Sequence, residues 1–158
     1  FLEGYLWDEG DPKKAFNKAI NNSKKTAMTL SDQFCVDRHK AHFLDLVKNK
    51  LDICFANEGE MMSLIDAKDF NEVINFSKEI KKHIIITRGE KGAISIQDNK
   101  IVEVKSKKNL NILDLTGAGD LFASGYLHGY INNLSQVECL EKGTEMSAKI
   151  IQQIGARL

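Results

Sequence analysis

Apolar residues recur along this chain in two rhythms, and the switches between them mark the elements. Short continuous runs read as buried strands: Phe1 to Trp7, Thr26 to Leu30, Leu51 to Ala56 and His83 to Thr87. The last of these, His83-Ile-Ile-Ile-Thr87, is apolar without alternation, as in a strand covered on both faces of a parallel sheet. Ala93 to Gln97 and Ile101 to Val104 alternate instead, and Asp98-Asn99-Lys100 between them predicts a hairpin. The other rhythm is helical. Asp11-Pro12 supplies an N-cap and a first-turn proline ahead of Ala15, Phe16, Ala19 and Ile20. Val36 to Lys50 turns Phe43, Leu44, Val47 and Leu51 inward, and Met61, Met62, Leu64 and Ile65 mark the next helix. Asp69 with Glu72 predicts a capping box for a helix burying Phe70, Val73, Ile74, Phe76 and Ile80. Ser135 with Glu138 caps a last helix that runs to about Ile154. Strands alternating with helices predict an α/β fold with a mostly parallel sheet and right-handed crossovers. With one proline, short loops and no internal repeat, residues 1–158 read as a single domain.

Charge and cysteine content narrow the partners. Lys+Arg and Asp+Glu balance at 22 each, so no basic surface advertises nucleic acid. No apolar run approaches a membrane span and no signal peptide opens the chain. Cys35, Cys54 and Cys139 are scattered and odd in number, which argues for the reducing cytoplasm and against a disulfide framework or a zinc site. His39 and His42 lie among Arg38 and Lys40 and read as solvated or capping residues, because no carboxylate or cysteine is spaced with them as a metal ligand. The chain opens without Met on what reads as a strand already under way, so a fragment is expected.

In parallel sheets, ligands sit beyond the carboxyl ends of strands. Polar or glycine-containing clusters follow three such ends here, at Asn57–Glu60, Thr87–Gly92 and Thr116–Asp120. The third is the most informative. A short apolar lead-in, Asn111-Ile-Leu113, runs into Asp114-Leu-Thr-Gly-Ala-Gly-Asp120, and a helix follows with apolar or small residues at 118, 121, 122, 125, 126 and 129. A strand, glycine turn and helix leave backbone N–H groups pointing one way with the helix dipole behind them, an anion site. Gly117 and Gly119 put no Cβ in the way of a phosphate, and Asp120 sets an acceptor beside it. That pairing suits transfer of a phosphoryl group to an alcohol. An ordinary loop with an acidic first turn fits the same residues. Phe122 stands where a dinucleotide fingerprint needs a third small residue, and Gly-Lys-Ser/Thr of a Walker loop is absent. Asn57 and Glu60, three apart at a helix start, suit either a cap or a hydrated Mg²⁺. Thr87-Arg-Gly89-Glu-Lys-Gly92 suits a tight turn.

Asp114 to Asp120 together with Ser124-Gly125 resembles the C-terminal signature of the ribokinase-like (pfkB) carbohydrate and nucleoside kinase family. Leu115 departs from the Thr, Pro, Ser or Val usual there. The resemblance implies a Rossmann-like three-layer α/β/α sandwich. It implies Asp120 as catalytic base and Gly117, Ala118 and Gly119 as anion hole. It also implies Mg²⁺ and phosphate at Asn57 and Glu60, and ATP bordered by Thr87, Gly89 and Gly92. Gly143-Thr144 to Ala148 and Gly155-Ala156 resemble the adenine-side segment, with Thr144 where relatives often carry Asn. Asp114 and the Thr116 carbonyl match a monovalent-cation (K⁺) loop of some relatives, with a plain loop acceptor as the other reading of Asp114. Phe1 to Leu6, Thr29 to His39 and Gly155 to Arg157 look like the adenosine-kinase-like bacterial branch. The resemblance covers the C-terminal half of a member, so the N-terminal strands and the lid, through which such kinases form homodimers, are expected outside it. The implied reaction joins ATP to a primary hydroxyl of a nucleoside, adenosine first, or of a sugar in a ribokinase or fructokinase type. A non-catalytic nucleotide-binding remnant is the alternative of another class.

Overall fold

The computed structural model describes residues 1–8 and 10–158. Six strands follow one another in a single sheet in sequence order: β1 (Leu2–Glu3), β2 (Ala27–Thr29), β3 (Ile53–Asn57), β4 (His83–Thr87), β5 (Ala93–Gln97) and β6 (Lys100–Val104). The helices are α1 (Pro12–Asn22), α2 (Gln33–Asp45), α3 (Glu58–Ile65), α4 (Phe70–Glu79), α5 (Ala118–Ile131) and α6 (Gln136–Ile150). β1, β2 and β3 run parallel, with Leu2 opposite Met28 and Met28 opposite Cys54. The α/β class expected from the alternating rhythms is the class observed. Among the described residues, no helix is long and apolar enough to cross a membrane. The chain divides into two compact units, Phe1–Ile86 with Ile96–Lys100 and Thr87–Ser95 with Ile101–Leu158.

In the first unit, the continuous apolar runs are the core: Met28, Leu30, Cys54, Ile84 and Ile85 are all buried. Helix starts follow side-chain caps. Asp32 accepts from the Cys35 amide at 2.6 Å at α2. Asp69 accepts from the Asn71 and Glu72 amides at α4, but Glu72 reaches back to the Lys68 amide rather than to Asp69, so the expected reciprocal box is displaced by one residue. The α2 helix ends at Asp45 and a π-turn, Leu46–Lys50, carries the chain on to Leu51. The opening segment corrects the expected strand. Only Leu2–Glu3 pairs with a neighbour, and Gly4–Trp7 is a 3₁₀ turn. The backbone leaves the ladder because its polar groups find other partners: the Tyr5 amide donates to Ser31 Oγ at 3.2 Å and Cys35 Sγ donates to the Gly4 carbonyl. Gly4 passes so close to Leu30 that a Cβ would stand 2.7 Å from its carbonyl oxygen. Trp7 then packs edge-on against Phe16, with ring centroids 4.7 Å apart.

In the second unit, α5 and α6 pack through glycines. A Cβ on Gly125 would stand 2.6 Å from the Lys142 carbonyl oxygen, one on Gly129 3.0 Å from Cys139 Sγ, and one on Gly143 2.8 Å from the Phe122 carbonyl oxygen. Tyr126 is buried there, with its hydroxyl 3.2 Å from Ser95 Oγ. The last helix is shorter than expected, ending at Ile150 with Gly155 at φ 91° beyond it. The lead-in at 111–113 is not a strand. The Leu113 and Asp114 amides both donate to the Ile151 carbonyl, and the Ile112 and Leu113 side chains are exposed. Its few apolar residues have no buried face to occupy.

Two outcomes follow from this packing. Gly125→Ala should destabilise the fold by about 1–3 kcal/mol in chemical denaturation, because the obstructing atom is backbone and cannot swing aside. The second concerns His83, buried at the start of β4. Burial pulls its imidazole down to about 4 against a small opposing effect of Asp98. A folded value below the unfolded one makes His83 contribute stability above about pH 6.5, lost as pH falls through 4 and worth about 3 kcal/mol in all. Denaturation midpoints of His83→Gln between pH 7 and pH 4 should therefore fall less steeply than those of the parent chain.

Candidate active site

The second unit holds the stretch that the sequence singles out. Gly117 caps α5 at φ 78° and ψ 1°, a left-handed backbone open to glycine, and no side chain caps this helix start. A Cβ on Gly117 would lie 2.9 Å from the Ala156 Cβ, so the turn is pressed against the segment after α6. Asp114 fastens it there. Its Oδ1 accepts from the Thr116 amide at 2.9 Å and the Thr116 hydroxyl at 2.7 Å, and its Oδ2 accepts from the Gly155 amide at 2.9 Å. The Thr116 hydroxyl and amide, with the Gly155 amide, hold the Asp114 carboxyl below the usual carboxylate range. These bonds are those of the loop-acceptor reading of Asp114. The Ala118 amide turns back to Leu115 O at 3.1 Å. The first-turn amides of any α-helix lack intrahelical acceptors, so the start of α5 offers N–H groups with the dipole behind them. Gly119 and Asp120 lie in that first turn and are exposed.

Thr87, at the end of β4, leads into a 3₁₀ turn, Gly89–Lys91. The turn closes on itself: the Arg88 amide donates to Gly92 O at 2.8 Å and the Gly92 amide to Gly89 O at 3.0 Å. Gly92 has an intramolecular reason to be glycine, since a Cβ there would stand 2.0 Å from Val104 O. Gly89 is at φ 56° and exposed. Thr144 is buried on α6, and its hydroxyl donates to the Leu140 carbonyl at 2.8 Å. It borders an open recess of about 300 Å³ that Val104, Lys105, Lys107, Val137 and Glu141 also line. Lys105 and Lys107 were not among the residues the sequence pointed to. Their signal is the basic run Lys105-Ser-Lys-Lys108 directly after β6.

The first unit brings Asn57 and Glu60 together as the spacing predicts. Glu60 N donates to Asn57 Oδ1 at 2.8 Å, Asn57 N donates to Glu60 Oε2 at 2.9 Å, and Asn57 Nδ2 donates to Glu60 Oε1 at 2.6 Å. This is a complete capping box for α3. It is more than a cap, because Glu60 is buried while Asn57 is exposed. Burial pushes the Glu60 carboxyl up to about 7, with Asp32 adding to the rise and the Asn57 bonds opposing it. The Tyr5 phenol is pushed up to about 12 by burial, by a hydrogen bond with Asp32 and by the charges of Asp32 and Glu60. Tyr5 and Asp32 escaped sequence reasoning because the turn after β1 and the start of α2 bring them near Glu60 only in the folded chain. A buried carboxylate with acidic neighbours is a site that gains from a cation, and its oxygens suit a hard one.

The family model for pfkB family carbohydrate kinases matches residues 2–158. The crystal structure of adenosine kinase from Sinorhizobium meliloti superposes with a TM-score of 0.94 at 37% identity, over 99% of this chain and 49% of that one. A probable sugar kinase from Rhizobium etli CFN 42 gives a TM-score of 0.93 at 39% identity, over 98% of this chain and 48% of that one. The cytidine kinase of Thermococcus kodakarensis is 30% identical over 114 residues, 69% of this chain and 40% of that protein. This chain thus spans about half the length of the relatives it matches.

Asn57→Ala removes one partner from each bond of the box except the one from its own amide, and leaves Glu60 buried without the amide group beside it. The expected cost is about 1–2 kcal/mol in urea denaturation. A loss below about 0.3 kcal/mol would show that the box adds nothing to the fold.

Proposed function

Because this chain belongs to the pfkB family of carbohydrate kinases, we propose that it serves an ATP-dependent phosphotransferase acting on a primary hydroxyl of a nucleoside, adenosine first. The observation that carries the proposal is the start of α5, where an exposed carboxylate, Asp120, shares the first turn with uncapped helix amides behind a glycine turn. In this reading, Asp120 accepts the proton of the acceptor hydroxyl. The freed oxygen forms a bond to the γ-phosphorus, and the bond from that phosphorus to the β,γ-bridging oxygen breaks to release ADP. The amides of Gly117 and Gly119 face the charge of the transferring group, whereas the Ala118 amide, expected to share the hole, donates to Leu115 O and joins it only by leaving that bond. Thr87, Gly89 and Gly92 border the ATP phosphates, and Thr144 borders the adenine.

The Asn57 and Glu60 oxygens suit Mg²⁺, which prefers oxygen ligands and keeps several waters. When bound, such an ion would neutralise phosphate charge and would favour the ionised form of Glu60, which burial and Asp32 disfavour. Asp114 holds the anion-hole turn in place, and a monovalent cation such as K⁺ belongs beside its carboxylate and the Thr116 carbonyl. A sugar acceptor is the second reading, supported by the likeness to the probable sugar kinase from Rhizobium etli.

The test is ADP release by the intact protein with Mg-ATP and either adenosine or a hexose. Asp120→Asn should lower turnover by about a hundred- to ten-thousandfold while ATP affinity stays within about twofold of the parent. Near-parental turnover would remove the base assignment. ATP binding without acceptor-dependent ADP release would replace the kinase with a non-catalytic nucleotide-binding protein.

A further inference from the structure

Among the described residues, one group of three potential metal ligands gathers its donor atoms: Asp8, Cys35 and His39 lie with one ligand atom each within 4.8 Å of one another. Cys35 and His39 are four apart on α2, which sets them on one helix face. Asp8 arrives from the other side, at the end of the Gly4–Trp7 turn. Its Oδ1 is 2.6 Å from His39 Nε2. Arg38 Nη2 donates to Asp8 Oδ2 at 2.6 Å, and Arg38 Nε donates to Oδ1 at 3.1 Å. At His39 the helix backbone departs from helical values, to φ −118° and ψ 18°. Cys35 is buried, with its thiol donating to the Gly4 carbonyl at 3.2 Å.

We infer that Asp8, Cys35 and His39 form a binding site for a zinc-class divalent cation, which fastens the turn after β1 to α2. Thiolate, imidazole and carboxylate are the donor set of zinc, cobalt(II) and their neighbours, whereas a thiolate is a poor ligand for Mg²⁺. Tetrahedral zinc sets its ligand atoms about 3.3–3.8 Å apart, given bonds of about 2.0–2.3 Å. From ligand atoms within 4.8 Å of one another, the Asp8–His39 pair must open slightly from 2.6 Å and the three atoms must gather around the ion. As Asp8 Oδ1 turns to the metal, Arg38 keeps Oδ2 and orients the carboxylate from outside the coordination shell. The Cys35 thiol gives its proton to solvent as sulfur takes the metal. Thiolate and carboxylate together balance the dication, and the fourth position is left to water. Cys35 and His39, four apart, correct the reading that no cysteine is spaced with His39, whereas Asp8, 31 residues from His39, is not displayed by the sequence.

Cobalt(II) titration of the intact protein under reducing conditions, in the absence of nucleotide, tests the inference. One equivalent should raise a near-ultraviolet thiolate-to-cobalt absorption that zinc abolishes. Trp7, the single tryptophan, adjoins Asp8 and bonds His42 through its indole N–H, so its fluorescence should change with the same stoichiometry. The band should persist in Cys54→Ser and Cys139→Ser and vanish in Cys35→Ser. His39→Gln and Asp8→Asn should weaken cobalt binding at least tenfold, and both remain informative if the Cys35 variant does not fold. A wild-type protein without a thiolate band overturns the site. So does a band that survives in Cys35→Ser, or cobalt affinity unchanged in His39→Gln and Asp8→Asn.

Discussion

One carboxylate that accepts three hydrogen bonds, Asp114, holds the turn on which the proposed chemistry of this chain depends. Residues 105–115 have no regular structure, and Ile112, Leu113 and Leu115 are exposed. Burial therefore does not place the segment. Hydrogen bonds do: Asp114 to Thr116 and Gly155, and the Leu113 and Asp114 amides to Ile151 O. An ionised acceptor makes stronger bonds than a neutral one, so a loop with little apolar surface keeps a defined shape. The helix it introduces is fixed differently, by glycine-mediated contact between α5 and α6. The start of α5 thus joins a polar clasp to a closely packed helix pair, which is what a preorganised set of amides requires.

The first unit solves a different problem with the same residue type. Glu60 is buried and half satisfied by Asn57, and its carboxyl stands near neutrality where Asp114's is held low. The contrast is one of solvation. Asp114 is half-buried but surrounded by donors, whereas Glu60 loses water and gains acidic company from Asp32. A buried carboxylate kept short of positive charge is costly for a fold, and such cost concentrates at functional sites.

Much of this was legible in the sequence where the signal is local. The Asn57–Glu60 box, the Ser135–Glu138 box and the turn at Asp98-Asn99, both at positive φ, follow from residue types at fixed spacing. So do the buried runs of β3 and β4. What the sequence hid depends on distant partners. Phe1 to Trp7 has the composition of a strand, but Ser31, Cys35 and Leu30 decide its path. The approach of Tyr5 and Asp32 to Glu60, and of Asp8 to His39, needs the fold before it exists. The lead-in at 111–113 shows the same limit, since three apolar letters do not make a strand without a neighbour to pair with.

The glycines separate packing from chemistry. Gly92, Gly125, Gly129 and Gly143 each have a neighbour within 3.0 Å of where a Cβ would stand, so the fold itself accounts for them. Gly117 has both a close neighbour and a left-handed backbone. Gly119 has neither. It lies in the first turn of α5 without a left-handed backbone, with no atom within 4 Å of a Cβ position. The space around a Cβ at Gly119 is open, so packing within the chain does not require glycine there. An exposed, open face one residue before Asp120 is where a bulky anion would have to approach the backbone. Gly119 is thus the glycine whose role the proposed anion hole, rather than packing, would have to supply.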